Sequence, residues 1–213
     1  MPEVISKIEI QRNNKKRVNV YLNNEYAFSC DAEIVYRYGL KISKIVELDE
    51  MKEIIDNDNV IKAKNDTLKF IERSYKTEKE LRDRLLKKGY DLRTIDKAID
   101  FAKQYDFLDD KRYAEMYMKE KSRSVGRNKL RYDLIKKGVE DDIIEEIQDT
   151  ISEVSEIEGA EILAGKKYSV LSKRERDNRK LYEKLLRFLV SRGYTWEVAK
   201  SAIKKVMEVE IED

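Results

Sequence analysis

The sequence predicts a mainly α-helical protein: tandem three-helix repeats of helix-turn-helix type in an elongated, curved array, with a small N-terminal β-hairpin and helix as a cap. Three observations carry this reading. Charged residues make up 41% of the 213-residue chain and there is a single proline, a composition that favours helices with solvated faces over a loop-rich sheet protein. Apolar and polar residues alternate only near the N-terminus. Beyond about residue 62 the apolar spacing turns helical, and one pattern recurs three times.

In the cap, Ile8 and Ile10, then Val18, Val20 and Leu22, then Tyr26 and Phe28 fall at alternate positions around Asn13-Asn14 and Asn23-Asn24. Period-two spacing reads as strand, and asparagine tolerates the positive φ of tight hairpin turns. Asp31 is placed to cap a helix carrying Ile34, Val35 and Tyr38, which Gly39 ends. Residues 1–60 form the cap.

The repeats are anchored by Leu85-Leu86-Lys87-Lys88-Gly89-Tyr90, Leu134-Ile135-Lys136-Lys137-Gly138-Val139 and Leu189-Val190-Ser191-Arg192-Gly193-Tyr194, so the glycines lie 49 and then 55 residues apart. Leu81, Leu130 and Leu185 align upstream; Ile95, Ile144 and Ala199, then Ala102, Ile151 and Val206, align downstream. Each copy resolves into three helices. In the first, Leu68 and Ile71 mark one helix, and Thr77 with Glu80 makes a capping box for the second. Gly89 ends that helix in the left-handed conformation, and Asp91 caps a third bearing Ile95, Ala98, Ile99 and Ala102. Asp110 is expected to cap the next helix, which holds Tyr113, Ala114 and Tyr117. Six extra residues in the third copy are expected in a longer connection around Ser169 to Asn178. The copies span 61–109, 110–155 and 156–213. Units of about 50 residues bury too little surface alone, so stacked copies share faces.

Chemistry is sparse. There is no histidine and one cysteine, which removes the commonest general base and any thiolate metal cluster. No phosphate-cradling Gly-rich loop or dinucleotide fingerprint is present, so a non-enzymatic protein without metal or cofactor is expected. Asp109-Asp110 and Asp141-Asp142 precede helices, where acids accept hydrogen bonds from free N–H groups. Cys30 reads as a small buried hydrophobe and Trp196 as packing between helices. A lone thiol, no signal segment and no run near the roughly 20 apolar residues of a membrane span point to a cytoplasmic protein that does not engage membranes.

Net charge is only +2, but charge segregates. Lys111 to Gly138 holds ten bases and three acids, net +7; Val139 to Gly165 holds ten acids and no bases, net −10; Lys166 to Gly193 is again net +7. Candidate basic faces for phosphates or an acidic groove comprise Arg82, Arg84, Lys87 and Lys88 in the first copy. In the second they comprise Arg123, Arg127, Lys129, Arg131, Lys136 and Lys137, and in the third Arg174, Arg176, Arg179, Arg187 and Arg192. Cations just before a helix-ending glycine also stabilise the helix dipole with no ligand. Tyr75, Tyr113, Tyr117 and Tyr132 lie among bases, where aromatics stack unpaired nucleobases; the i,i+4 spacing of Tyr113 and Tyr117 is more often that of a core stripe, and that reading is preferred for them.

The run Asp106-Phe107-Leu108-Asp109-Asp110-Lys111-Arg112-Tyr113-Ala114 resembles the F-x-D-D-x-R-Y-A signature of the RecX family. Its context is similar too: a basic Gly-containing segment (Arg123 to Gly126), a leucine-bearing helix ending in glycine (Lys129 to Gly138), and an N-terminal hairpin leading into a helix (Val18 to Gly39). The resemblance covers essentially the whole chain. It implies tandem three-helix repeats that bind the RecA filament in its groove and inhibit recombinase, ATPase and coprotease activity in DNA repair and the SOS response. It carries signature positions onto Asp109, Asp110, Arg112 and Tyr113. The acidic block from Glu140 to Glu161 departs from simple nucleic-acid wrapping and suggests that one face meets protein. A monomer touching single- or double-stranded DNA through its basic faces is expected; the alternative is a sequence-specific helix-turn-helix transcription regulator.

Overall fold

Residues 2–148 and 153–209 are described by the computed structural model, which divides the chain into two compact units. The first comprises the residues up to Ser74 with Leu81–Leu108; the second comprises Tyr75–Glu80 with the chain from Asp109 onward.

The first unit opens with strands β1 (Pro2–Gln11), β2 (Asn14–Leu22) and β3 (Glu25–Asp31), and a short β4 (Ile45–Glu47) pairs with the start of β1. The antiparallel order is β3-β2-β1-β4. The expected hairpin is therefore part of a four-stranded sheet; three residues of β4 are too few to show a period. Asn23 and Asn24 take φ of 46° and 71°, the geometry that matches hairpin twist. The other turn passes through Arg12 and Asn13 without positive φ. A bulge between Ile5 and Lys7 shifts the alternation, so Ile5 is buried on the same face as the half-buried Ile8; Ile10, opposite Val18 near the end of β1, is exposed. Tyr26 is exposed, whereas Val18, Val20, Leu22, Phe28 and Cys30 are buried. Burial pushes the Cys30 thiol up to about 11.

Asp31 caps α1 (Ala32–Arg37), accepting from the Glu33 N–H. Helix α2 (Leu48–Arg73) runs 26 residues, about 39 Å at 1.5 Å per residue. That length lets one helix serve two cores: Met51 and Ile55 pack on the sheet, while Ala63, Phe70 and Ile71 pack with α3 (Glu78–Lys87) and α4 (Leu92–Gln104). Residue 60, the expected edge of the cap, lies inside α2. A buried Arg17–Asp58 ion pair, 2.7 Å, ties β2 to α2. Leu81, Leu85, Ile95, Ala98, Ile99 and Ala102 are buried as predicted. Asp91 caps α4 by accepting from the Thr94 N–H, and Asp106, at φ +54°, ends it where glycine is usual.

In the second unit α5 (Asp110–Lys121), α6 (Arg127–Lys136) and α7 (Asp141–Gln148) enclose Ala114, Met118, Leu130, Leu134, Ile144 and Ile147. Helices α8 (Glu153–Leu171), α9 (Asn178–Ser191) and α10 (Trp196–Val209) enclose Ala160, Ala164, Leu185, Leu189, Ala199 and Ile203. Ile151, aligned above with Ala102, lies outside the described residues. Four sequence expectations change or sharpen here. The cap of α5 is Asp109, which accepts from the Arg112 N–H, and Asp110 is the first helical residue. Ser169 is inside α8; the insertion goes mainly into α9, which has 14 residues against 10 in α6 and gains a first turn capped by Asp177. Trp196 is 55% exposed at the start of α10 with the Lys200 ammonium 5.3 Å from its ring, because Tyr194 fills the buried position beside it. Tyr113 and Tyr117 are half-buried against the α5–α7 core, rings 6.2 Å apart, which favours the core stripe.

Candidate partner-binding surface

The glycines ending α3, α6 and α9 share φ of 85°, 87° and 88°. A side chain is disfavoured at all three. Two of these turns also receive a helix. The Thr77 hydroxyl donates to the Lys137 carbonyl, 2.6 Å, and the Glu78 N–H donates to the Asp110 carboxylate, 2.9 Å. At the equivalent positions, Gly126 N–H donates to the Arg192 carbonyl, 3.0 Å, and Arg127 N–H to the Glu156 carboxylate, 3.0 Å. The same clasp thus occurs twice. The start of one middle helix donates to a free carbonyl at the end of the next, through the Thr77 hydroxyl in one case and the Gly126 N–H in the other, and a carboxylate from the following copy accepts from the first helical N–H. This gives the paired aspartates separate structural tasks: Asp109 caps its own helix and Asp110 caps α3.

The clasp also consumes charge. The Arg127 Nε donates to Glu156, 2.7 Å, whose side chain is only 4% exposed. Arg131 bridges Asp141 and Glu145, and Lys129 pairs with Asp133 at 2.5 Å. Lys137 pairs with Glu80 at 2.7 Å; burial opposes both charges, yet the pairing raises the lysine and holds the carboxyl below its ordinary value. Lys111 pairs with Glu146 and Lys205 with Glu161. Much of the acidic block is therefore matched within the unit, a use that the block's net charge had suggested for a partner protein.

In the first unit Arg82 pairs with Asp96, Lys88 with Asp66, and the Arg84 guanidinium lies over Phe70. Arg179 reaches Glu183 at 3.5 Å, and Arg192 lies over Phe188. Exposed cations without a carboxylate partner among the described residues include Lys87, Arg112, Arg123 and Lys136, with Arg174, Arg176 and Arg187 in the third copy. Lys173, absent from the sequence-derived set, joins Arg174 and Arg176 in the α8–α9 connection. The intervening Glu175 is engaged by Lys184 at 3.0 Å and by the Asp177 N–H. Net charge of a stretch signals neither Lys173 as free nor Glu156 as spent, because both depend on long-range pairing. No group of side chains among the described residues is arranged to hold a metal ion, and no helix among them is long and apolar enough to cross a membrane.

Four family domains match the chain: the Regulatory protein RecX N-terminal domain over residues 3–47, and the RecX first, second and third three-helix domains over 63–101, 109–147 and 155–203. The Regulatory protein RecX of Clostridium tetani is 46% identical over 203 residues, 95% of this chain and 94% of that protein. That of Clostridioides difficile is 30% identical over 206 residues, 96% of each. A crystal structure of regulatory protein RecX superposes with TM-score 0.67 at 22% identity, covering 95% of this chain and 99% of the other. A crystal structure of RecX from Lactobacillus salivarius gives 0.64 at 24%, covering 70% and 97%. At those identities the structures attest the shared fold, and the sequence relatives attest kinship. With family domains matching the N-terminal segment and each of the three three-helix copies, and a relative 46% identical over 95% of the chain, the chain belongs to the RecX family of regulatory proteins.

Proposed function

We propose that the protein binds RecA along the groove of its nucleoprotein filament and inhibits its recombinase, ATPase and coprotease activities in DNA repair and the SOS response. Membership of a regulatory family supports the partner. The observation that bears most on mechanism is the trio Lys173, Arg174 and Arg176, exposed together without carboxylate partners among the described residues while neighbouring cations are neutralised. Such a loop meets phosphate at little desolvation cost, whereas Arg127 and Arg131 have partners to lose. Binding and not catalysis then suffices: the protein blocks filament growth or promotes disassembly by occupying the groove as a monomer.

The test adds purified protein to RecA filaments and follows single-stranded-DNA-dependent ATP hydrolysis. Inhibition at stoichiometric or lower ratios is expected; unchanged hydrolysis at excess protein overturns the proposal. Replacing the trio by glutamate should weaken inhibition and flatten its salt dependence, by roughly 0.7 to 0.9 log units per lost phosphate contact. Gel-shift titration on random duplexes and single strands separates this reading from a sequence-specific helix-turn-helix regulator, which demands one preferred duplex site.

A further inference from the structure

One register of the repeat is apolar and exposed in all three copies. Leu86, Ile135 and Val190 are 48%, 47% and 38% exposed, and each follows a leucine that is wholly buried: Leu85, Leu134 and Leu189. They occupy equivalent places by the glycine anchors, three residues before Gly89, Gly138 and Gly193. None packs into a hydrophobic core. A single exposed aliphatic side chain needs no explanation. Its recurrence on the outward side of every middle helix, where lysine or glutamate would favour the helix equally well, does.

Charge and shape on the same helices narrow the occupant. Lys87 and Lys136 follow the first two aliphatic residues, and Arg187 precedes the third by about one turn; all three cations are exposed without carboxylate partners among the described residues. Tyr132, 61% exposed, lies one turn before Ile135. Leu, Ile and Val present no flat face for a nucleobase to stack on, so nucleic acid does not account for them. An aliphatic side chain beside a free cation fits an apolar pocket with an acidic rim, which is protein chemistry. Within the second unit the end of α9 lies against the start of α6, so Val190 and Ile135 are separated by roughly the length of α6, about 15 Å.

We propose that the outward face of the middle helix in each copy, marked by Leu86, Ile135 and Val190, is a docking point for a protein partner that offers the same acidic-rimmed apolar pocket repeatedly, as a polymer of identical subunits does. The inference rests on the RecA-filament reading and adds to it the residues that grip. Repetition makes the contacts multivalent: each is weak alone, and successive ones engage at high effective concentration.

The experiment compares the full chain with the triple variant Leu86→Gln, Ile135→Gln and Val190→Gln in co-sedimentation with RecA filaments and in the ATPase assay. The variant should lose apparent affinity by roughly tenfold or more, with each single substitution losing a smaller factor, and keep the helicity and melting temperature of the parent. Co-sedimentation and inhibition equal to the parent overturn the docking face while leaving the RecA reading standing. A parent that neither co-sediments nor inhibits overturns both. A lower melting temperature for the variant marks these side chains as core and also overturns the inference. Retained binding to naked single strands with lost binding to filaments supports it.

Discussion

The second and third copies carry basic stretches of the same net charge, +7 each, and put them to different use. In α6 Arg127, Lys129 and Arg131 each meet a carboxylate, and Arg127 meets one that is almost fully buried. In the α8–α9 connection Lys173, Arg174 and Arg176 meet none among the described residues. The difference arises because α6 lies within reach of the acidic block: Glu156, from the copy that α6 clasps, meets Arg127, while Asp141 and Glu145 of its own copy meet Arg131. Charge density along a chain therefore measures the need for partners, not their absence.

The widest gap should appear on charge reversal. Arg127→Glu sets a second carboxylate against Glu156 and is expected to cost about 3 to 5 kcal/mol, as breaking a buried pair does. Arg174→Glu should stay within about 0.5 kcal/mol. Urea unfolding of the two variants checks this, and equal midpoints would erase the distinction between the stretches.

A second contrast concerns the clasp itself. Gly193→Ala forces a methyl into the backbone of Lys129 at a φ that side chains avoid; Gly89→Ala meets the same φ with nothing nearby. The former should cost about 3 kcal/mol or more and the latter about 1 to 2, the added part being overpacking. Thermal melts that rank the two equally would remove the clasp from the energetics.

The smallest effect is at Tyr194, buried at the same junction with a hydroxyl that has no hydrogen-bond partner among the described residues. Tyr194→Phe should stabilise by up to about 1 kcal/mol. Burial, reinforced by Glu156, pushes this hydroxyl from 10.0 up to about 12. The neutral form is thus favoured in the fold, and its contribution is complete below pH 10 and is lost as pH rises from 10 to 12. The phenylalanine variant should show a shallower fall in melting temperature over that window than the parent does.

Local signals were legible because local physics makes them. Thr77 with Glu80, Asp31, Asp91 and the three repeat glycines act within a turn of themselves, and each takes the cap or left-handed geometry read from spacing. The bulge at Ile5, the β4 pairing and the run of α2 through residue 60 were hidden, since each is decided by a partner strand or a second core.

For the binding surface the division is sharper. The amino-acid sequence alone determined three helical copies, their buried leucines, a chain without histidine and the alternation of charge blocks, all of which follow from residue identity and period. Tertiary structure decided which charges are free: Glu156 and Asp110 each cap a helix of the preceding copy, and Arg127, whose guanidinium Glu156 also meets, ceases to be a free surface cation. The physical reason is distance. A Coulombic or hydrogen-bonded pairing acts over a few ångströms in space, and only folding brings Arg127 and Glu156, or Glu78 and Asp110, that close.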